Sequence, residues 1–320
     1  MTARAASAEN VGIRKGDLGR RAYRIDWPTL TLAYGIYFSF LLITYSYHYL
    51  PWWLVCPPAA LVIALHGSLQ HEGTHGYPTR WKGLNSFIVG WPLWLWLPYL
   101  NYRAAHLQHH IDENLTDPSI DPESNYLTPA QWAAMSPLHR LARQAMRPLL
   151  GRMLVGPVYY AVMGLRDLQH ALLYGNWPVL RAWLWHLPAA ALILYWVVAI
   201  CGIPAWVYIL GMAYPGTSLA LVRSFAEHRA HASVKGRTII CEAGRFWSFL
   251  FLHNNLHVVH HDEPGLPWYL RPDRYRARKA EMTALADHYQ MPGYRRLFAQ
   301  YAILPKEPLL HPQTDSSLDH

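Results

Sequence analysis

Charge is scarce in this chain. Asp, Glu, Lys and Arg make up 15% of its 320 residues, against about 25% in ordinary soluble domains. Such a deficit points to a protein that faces lipid over much of its surface. Cysteine is scarcer still. Cys56, Cys201 and Cys241 lie far apart and form no CxxC pair. That excludes a disulfide framework, a cysteine-based zinc site and a four-cysteine iron–sulfur cluster. Neither a CxxCH haem-attachment motif nor a GxGxxG dinucleotide fingerprint occurs. Any electrons the chain uses are therefore expected from another protein. Residues 1–25 are polar and basic, without the short apolar core of a secretory signal, and are expected to be retained. Internal repeats and low-complexity tracts are also missing, so 1–320 reads as one domain.

The charge that is present is unevenly placed. The net charge is +8, which could speak for nucleic acid. However, Arg4, Arg14, Lys15, Arg20, Arg21 and Arg24 sit just ahead of an apolar run, as a cytoplasmic flank does under the positive-inside rule. No nucleic-acid partner is expected. Four runs, 28–49, 52–70, 182–201 and 203–222, contain no Asp, Glu, Lys or Arg. Each is near the roughly 20 residues a helix needs to cross a bilayer. Turns at Pro51 and Gly202 join them in pairs, and both turns lack Lys and Arg. Arg80, Lys82, Arg181, Arg223 and Arg229 flank the other ends. The pattern predicts an all-α integral membrane protein of four transmembrane helices in two hairpins, with both termini cytoplasmic. Residues 84–100 are apolar but short and carry Pro92 and Pro98, so they read as interfacial or re-entrant, with Trp91, Trp94 and Trp96 as an interface belt. Segments 102–180 and 223–320 read as the soluble part. Residues 112–129 read as a polar loop, and the proline-bearing tail, about 303–320, as loosely ordered.

Histidine is what the chain has in excess, 19 in all. They cluster: His71 and His75 in HEGTH; His106, His109 and His110 in HLQHH; His228 and His231 in EHRAH; His257, His260 and His261 in HVVHH. On a helix, residues three and four apart share a face, so each cluster can aim imidazoles at one point. In this topology all four clusters lie at one membrane boundary. Imidazole suits iron, zinc, copper and nickel, and eight or more convergent rings are too many for one ion. HEGTH alone also fits the HExxH zinc motif, with Glu72 as general base, but a zinc protease leaves the other two boxes unexplained. A metal transporter would want ionisable residues inside the spans, and only the scattered His48, His66 and His186 lie there. Among the acids after the boxes, Asp112, Glu113, Asp262 and Glu263 are candidates to hydrogen-bond a ligand ring.

HEGTH, HLQHH and HVVHH, with EHRAH ahead of the last, resemble the membrane fatty-acid desaturase and hydroxylase superfamily over about residues 60–270. HEGTHGYPTRW and HNNLHVVHHDEPGLPWY are similar to a bacterial desaturase branch. The first box here has three intervening residues, where four are common in the family. The resemblance implies a membrane stalk with a cytosolic helical cap and two iron ions held by histidine. Carried over box by box, the ligands fall on His71, His75, His106, His109, His110, His257, His260 and His261. His228 matches a further family ligand, and His231 is an additional candidate. Glu72 and Asp262 are the implied partners of ligand rings. The implied activity is O2-dependent oxidation of an unactivated C–H bond of a fatty-acyl or similar lipid. Desaturation comes first, ahead of hydroxylation, carotenoid-type oxygenation and alkene-forming decarboxylation. A separate electron donor, a ferredoxin or similar carrier with its reductase, and a bacterial inner-membrane location follow from the same resemblance.

Overall fold

The computed structural model describes residues 25–111 and 114–312. The basic segment 1–24, the candidate acids Asp112 and Glu113, and the tail from 313 lie outside the described residues. The four apolar runs form long helices close to the charge-free stretches read from the sequence. Helix α1 (Trp27–Tyr45) opens on Asp26, whose carboxylate caps the Thr29 amide, with Pro28 in the first turn. Helix α2 is Trp52–Thr74. Two short helices follow, α3 (Lys82–Val89) and α4 (Tyr99–His109). The cap supplies α5 (Pro129–Ala134), α6 (Pro137–Ala145) and α7 (Leu149–Tyr174). The second hairpin is α8 (Trp177–Leu194), prolonged by a π-helical turn to Ile200, then α9 (Ala205–Val207), a π-helical turn Tyr208–Ala213 and α10 (Tyr214–Glu227). Strand β1 (Ile240–Cys241), helices α11 (Arg245–Leu250), α12 (His257–Asp262), α13 (Arg271–Ala277) and α14 (Lys279–Leu285), strand β2 (Gln290–Met291) and α15 (Tyr294–Tyr301) complete the chain. The two short strands pair in parallel, and beside them the described residues hold only three isolated β-bridges in an otherwise helical fold.

The helices are arranged as a lipid solvent requires. On α1 the buried residues are Thr29, Ala33, Ile36, Phe40 and Thr44, one stripe at helical spacing. Tyr34, Phe38, Leu41 and Leu42 point outward, which in water would be an aggregation surface. Among the spans, α2 is the most enclosed. It packs between α1 and α10. A small residue permits the second contact: a side chain at Gly216 would come within 2.6 Å of Ile63, so the glycine lets the two backbones approach.

Segment 84–100 contains no helix long enough to span, as expected, but three finer expectations change. Its irregular middle enters the bundle, burying Leu93 and Trp94 against Ile63, Tyr208 and Met212, so Trp94 is a core residue and not part of an interface belt. Helix α7 lies within the stretch read as soluble, yet it packs on α10 and α8. It turns Leu154, Val158, Leu165 and Leu172 outward, an apolar stripe suited to a bilayer interface. Residues 303–312 are not loose. His311 N–H donates to the Leu127 carbonyl, His311 is buried, and the Lys306 ammonium donates to the carbonyls of Phe225 (2.9 Å) and His228 (2.6 Å).

Candidate metal centre

Nine histidines meet at the histidine-box end of α2 and α10. Two sets of four have ligand nitrogens all within 4.8 Å of one another: His71, His75, His106 and His260 in the first, His109, His228, His257 and His261 in the second. His110 adjoins the first set, its Nε2 3.1 Å from that of His106 and 3.0 Å from that of His260. Its ring stacks on His261 of the second, with centroids 4.3 Å apart, so the two sets lie side by side.

Helical geometry explains the partition. At 3.6 residues per turn, i and i+4 lie about 40° apart and i+3 about 60° to the other side. An HxxHH box therefore aims its outer pair one way and its middle histidine another. On α4 the pair His106 and His110 serves the first set and His109 the second. On α12 the arrangement is reversed: His257 and His261 serve the second set and His260 the first. His71 and His75 close the first set from the end of α2. His228, in extended backbone just past α10 (φ −129°, ψ 152°), closes the second.

Carboxylates and carbonyls hold the rings from outside. The Nδ1 of His109 lies 2.9 Å from Asp121 Oδ1, that of His106 3.2 Å from Glu123 Oε1, and that of His71 3.3 Å from Glu72 Oε1. His228 Nδ1 lies 3.2 Å from the Arg237 carbonyl, and His257 Nδ1 lies 3.5 Å from Glu227 Oε1. An Nδ1–H donated outward leaves Nε2 as the inward donor atom. Glu72 is itself anchored by the fully buried Arg271, whose guanidinium sits 2.7 Å away. Paired in this way, Glu72 is ill suited to act as a proteolytic base. Asn254 links the sets, its Nδ2 2.6 Å from Glu227 Oε1 and 3.5 Å from His71 Nε2.

The donor set fits metal ions. Across five pairs the Nε2 atoms lie 2.9–3.1 Å apart. Nitrogens bound at right angles about 2.1 Å from one ion would be about 3 Å apart. Electrostatics agree. Burial and neighbouring imidazoles hold His110, His228, His257 and His260 well below the ordinary histidine range, so these rings are neutral, as ligands must be. His109 differs. Burial pulls it down, but Glu123 and Asp121 outweigh burial and raise it to about 9. Glu123 is lowered to about 2, because His106 and His109 outweigh the cost of its burial.

Three candidates from the sequence are not gathered here. His231 turns away, its Nε2 3.2 Å from Asp287 and its Nδ1 3.1 Å from the Ser233 carbonyl. Asp262 pairs with Arg278 at 2.6 Å, and Glu263 pairs with Arg274 and Arg278, so neither orients a ring. The carboxylates that do are Glu72, Asp121 and Glu123, with Glu227 an ion-pair neighbour of His257 at 3.5 Å. Glu227 directly precedes His228 and could have been read from EHRAH. Asp121 and Glu123 lie 12 and 17 residues from the rings they hold and carry no local signal.

Comparison with known families places residues 47–293 under a model described as fatty acid desaturase, a stretch that includes both histidine sets. A comparison with curated proteins gives no match.

Proposed function

Because this chain belongs to the fatty acid desaturase family, membrane oxidoreductases that oxidise lipid C–H bonds, we propose that it desaturates a fatty-acyl or similar lipid chain at a pair of histidine-held iron ions. The carrying observation is the two side-by-side histidine sets. His71, His75, His106, His110 and His260 would hold one ion. His109, His228, His257 and His261 would hold the other. When bound, the iron pair supplies O2-dependent oxidation strong enough for an unactivated C–H bond.

The chain's own residues supply the rest. Glu72, Asp121, Glu123, Glu227 and the Arg237 carbonyl fix the rings so that Nε2 faces inward. Arg271 holds Glu72 in place. Two hydrogens leave neighbouring carbons, O2 receives two electrons from the substrate and two from a donor, and with two further protons it departs as two waters. The donor electrons come from a ferredoxin or similar carrier with its reductase, because the sequence has no flavin, haem or iron–sulfur motif. The Lys and Arg asymmetry supports cytoplasmic termini and a cytoplasmic metal centre, in a bacterial inner membrane.

The test is turnover of isotope-labelled acyl substrate by purified protein supplied with carrier, reductase, nicotinamide and O2. Loss of two hydrogens is expected, and near silence when the carrier is omitted. Gain of one oxygen from O2 would mean hydroxylation instead, and release of carbon dioxide would mean decarboxylation. Peptide-bond cleavage that persists without O2 or reductant would overturn the assignment.

A further inference from the structure

A small cavity of about 50 Å³ lies where the loop after α4, α6, the start of α7, the end of α10 and residues 306–309 meet. That is room for roughly three to five water molecules, or for one carboxylate or phosphate group. Arg143, Arg147, Arg152 and Lys306 line it, together with Glu307 and the backside of His228. Asp121 and Glu123 also reach its wall, but their carboxylates are committed to His109 and His106. Glu307 sits 3.4 Å from the Lys306 ammonium. Once the acids are matched, three guanidinium groups remain without a carboxylate among the described residues.

Arg152 is the most informative of these. Its side chain is nine-tenths buried and makes no hydrogen bond or ion pair among the described residues. Its Nε is buried without a partner, and its guanidinium lies over the Phe225 ring, 5.2 Å from the centroid. The Nε atoms of Arg143 and Arg147 are likewise buried without partners. Buried charges are normally paired, because an uncompensated one is costly to desolvate. Guanidinium is also the side chain whose planar fork matches carboxylate and phosphate oxygens.

We propose that this cavity is an oxyanion-binding site whose occupant is the carboxylate or phosphate head of the lipid substrate, gripped by Arg152 with Arg143 and Arg147. The identity of the occupant rests on the desaturase reading. A head group seated there shares the His228 wall with the second histidine set, which would fix the register of the chain beside the metals. The cationic cavity itself stands independently of the reaction.

The experiment is calorimetric titration of the iron-loaded, full-length protein in neutral detergent with octanoate, octyl phosphate, octanol and inorganic phosphate. At least one of the two charged amphiphiles is expected to bind ten-fold or more tighter than octanol, and which one does so distinguishes carboxylate from phosphate. Arg152→Met should abolish that preference and leave octanol binding unchanged, and Arg152→Lys should restore part of it. Arg147→Met, at a less buried position, should weaken it in the same direction and covers the case of an Arg152 variant that fails to fold. Equal binding of octanol and both charged amphiphiles, or a preference that survives Arg152→Met, would leave the cavity to water and overturn the proposal. Inorganic phosphate binding as tightly as octyl phosphate would make it a free-anion site, overturning the lipid-head assignment. Iron content and donor-dependent turnover are read on the same preparations. A protein with two irons and turnover but no charge preference loses only the head-group proposal. One that prefers the charged amphiphiles but lacks iron loses the desaturase reading.

Discussion

Arg271→Met removes one half of a fully buried ion pair. The guanidinium and the Glu72 carboxylate are both 0% exposed and 2.7 Å apart, and Arg271 also donates to the Leu252 carbonyl at 3.1 Å. Methionine fills much of the volume but leaves the buried Glu72 carboxyl beside His71 without the Arg271 guanidinium. Breaking a buried pair from one side costs about 3–5 kcal/mol, a large share of the roughly 5–15 kcal/mol that holds a folded domain together. For a chain of this length, a melting temperature lower by roughly 5–10 °C is expected, read by tryptophan fluorescence in neutral detergent. The double variant Glu72→Gln/Arg271→Met removes both charges and should recover at least half of the loss, because a neutral pair needs no counter-ion. If Arg271→Met melts within about 2 °C of the wild type, or the double variant melts no higher than the single one, the buried pair is not what holds His71 in place.

Lys306→Met deletes the two hydrogen bonds that tie the C-terminal segment to Phe225 and His228. Iron content should fall from two toward one per chain as the second set loosens, and two irons retained would contradict that role. The metal-free protein should be most stable near pH 6.5. Unfolding lets the depressed imidazoles of His110, His228, His257 and His260 take up protons below their ordinary value of about 6.5, so stability falls as the pH drops below it. His109, raised to about 9, stabilises fully below pH 6.5 and loses that contribution as the pH rises through 9. Melting curves from pH 5 to 10 test both limbs, and a flat profile between pH 5 and 7 would refute the neutral-imidazole assignment. Gly216→Leu places a side chain where a Cβ already meets Ile63 at 2.6 Å. It should destabilise the α2–α10 contact by about 1–3 kcal/mol and lower both melting temperature and iron retention; an unchanged melting curve would mean the helices can separate freely.

Much of this was legible in the sequence because the relevant signals are local. A charge-free run of about 20 residues has one structural solution in a bilayer, and the four spans appear where the composition puts them. HxxHH is a statement about angles on one helix. Local patterning fails where a helix ends or a distant segment decides. The i, i+3 argument would have joined His231 to His228, but α10 stops at Glu227, so the two no longer share a face. Asp262 follows its box closely and was a reasonable partner, yet Arg278 takes it. The carboxylates that hold His106 and His109 come from a polar loop whose course is set by tertiary contacts: His311 Nε2 lies 3.2 Å from Thr116 Oγ1, and the Thr116 amide donates to Asp121 Oδ2 at 2.9 Å. The proline-bearing segment 303–312 looks loose by composition, but its order comes from distant partners: Lys306 meets Phe225 and His228, 81 and 78 residues back, Leu310 bridges to Leu127, and His311 meets Thr116, 195 residues back. Helix α7 was hidden because Arg152, Arg166 and Asp167 interrupt its apolar run.

Metal content resolved by histidine set is the most direct check on the two-ion centre. Wild-type protein purified from iron-replete cells should carry two irons per chain by elemental analysis. His75→Ala, in the first set, and His257→Ala, in the second, should each keep about one, and the combined variant close to none. One zinc and no iron in the wild type, or a full pair of irons in both single variants, would contradict the assignment of nine histidines to two neighbouring ions.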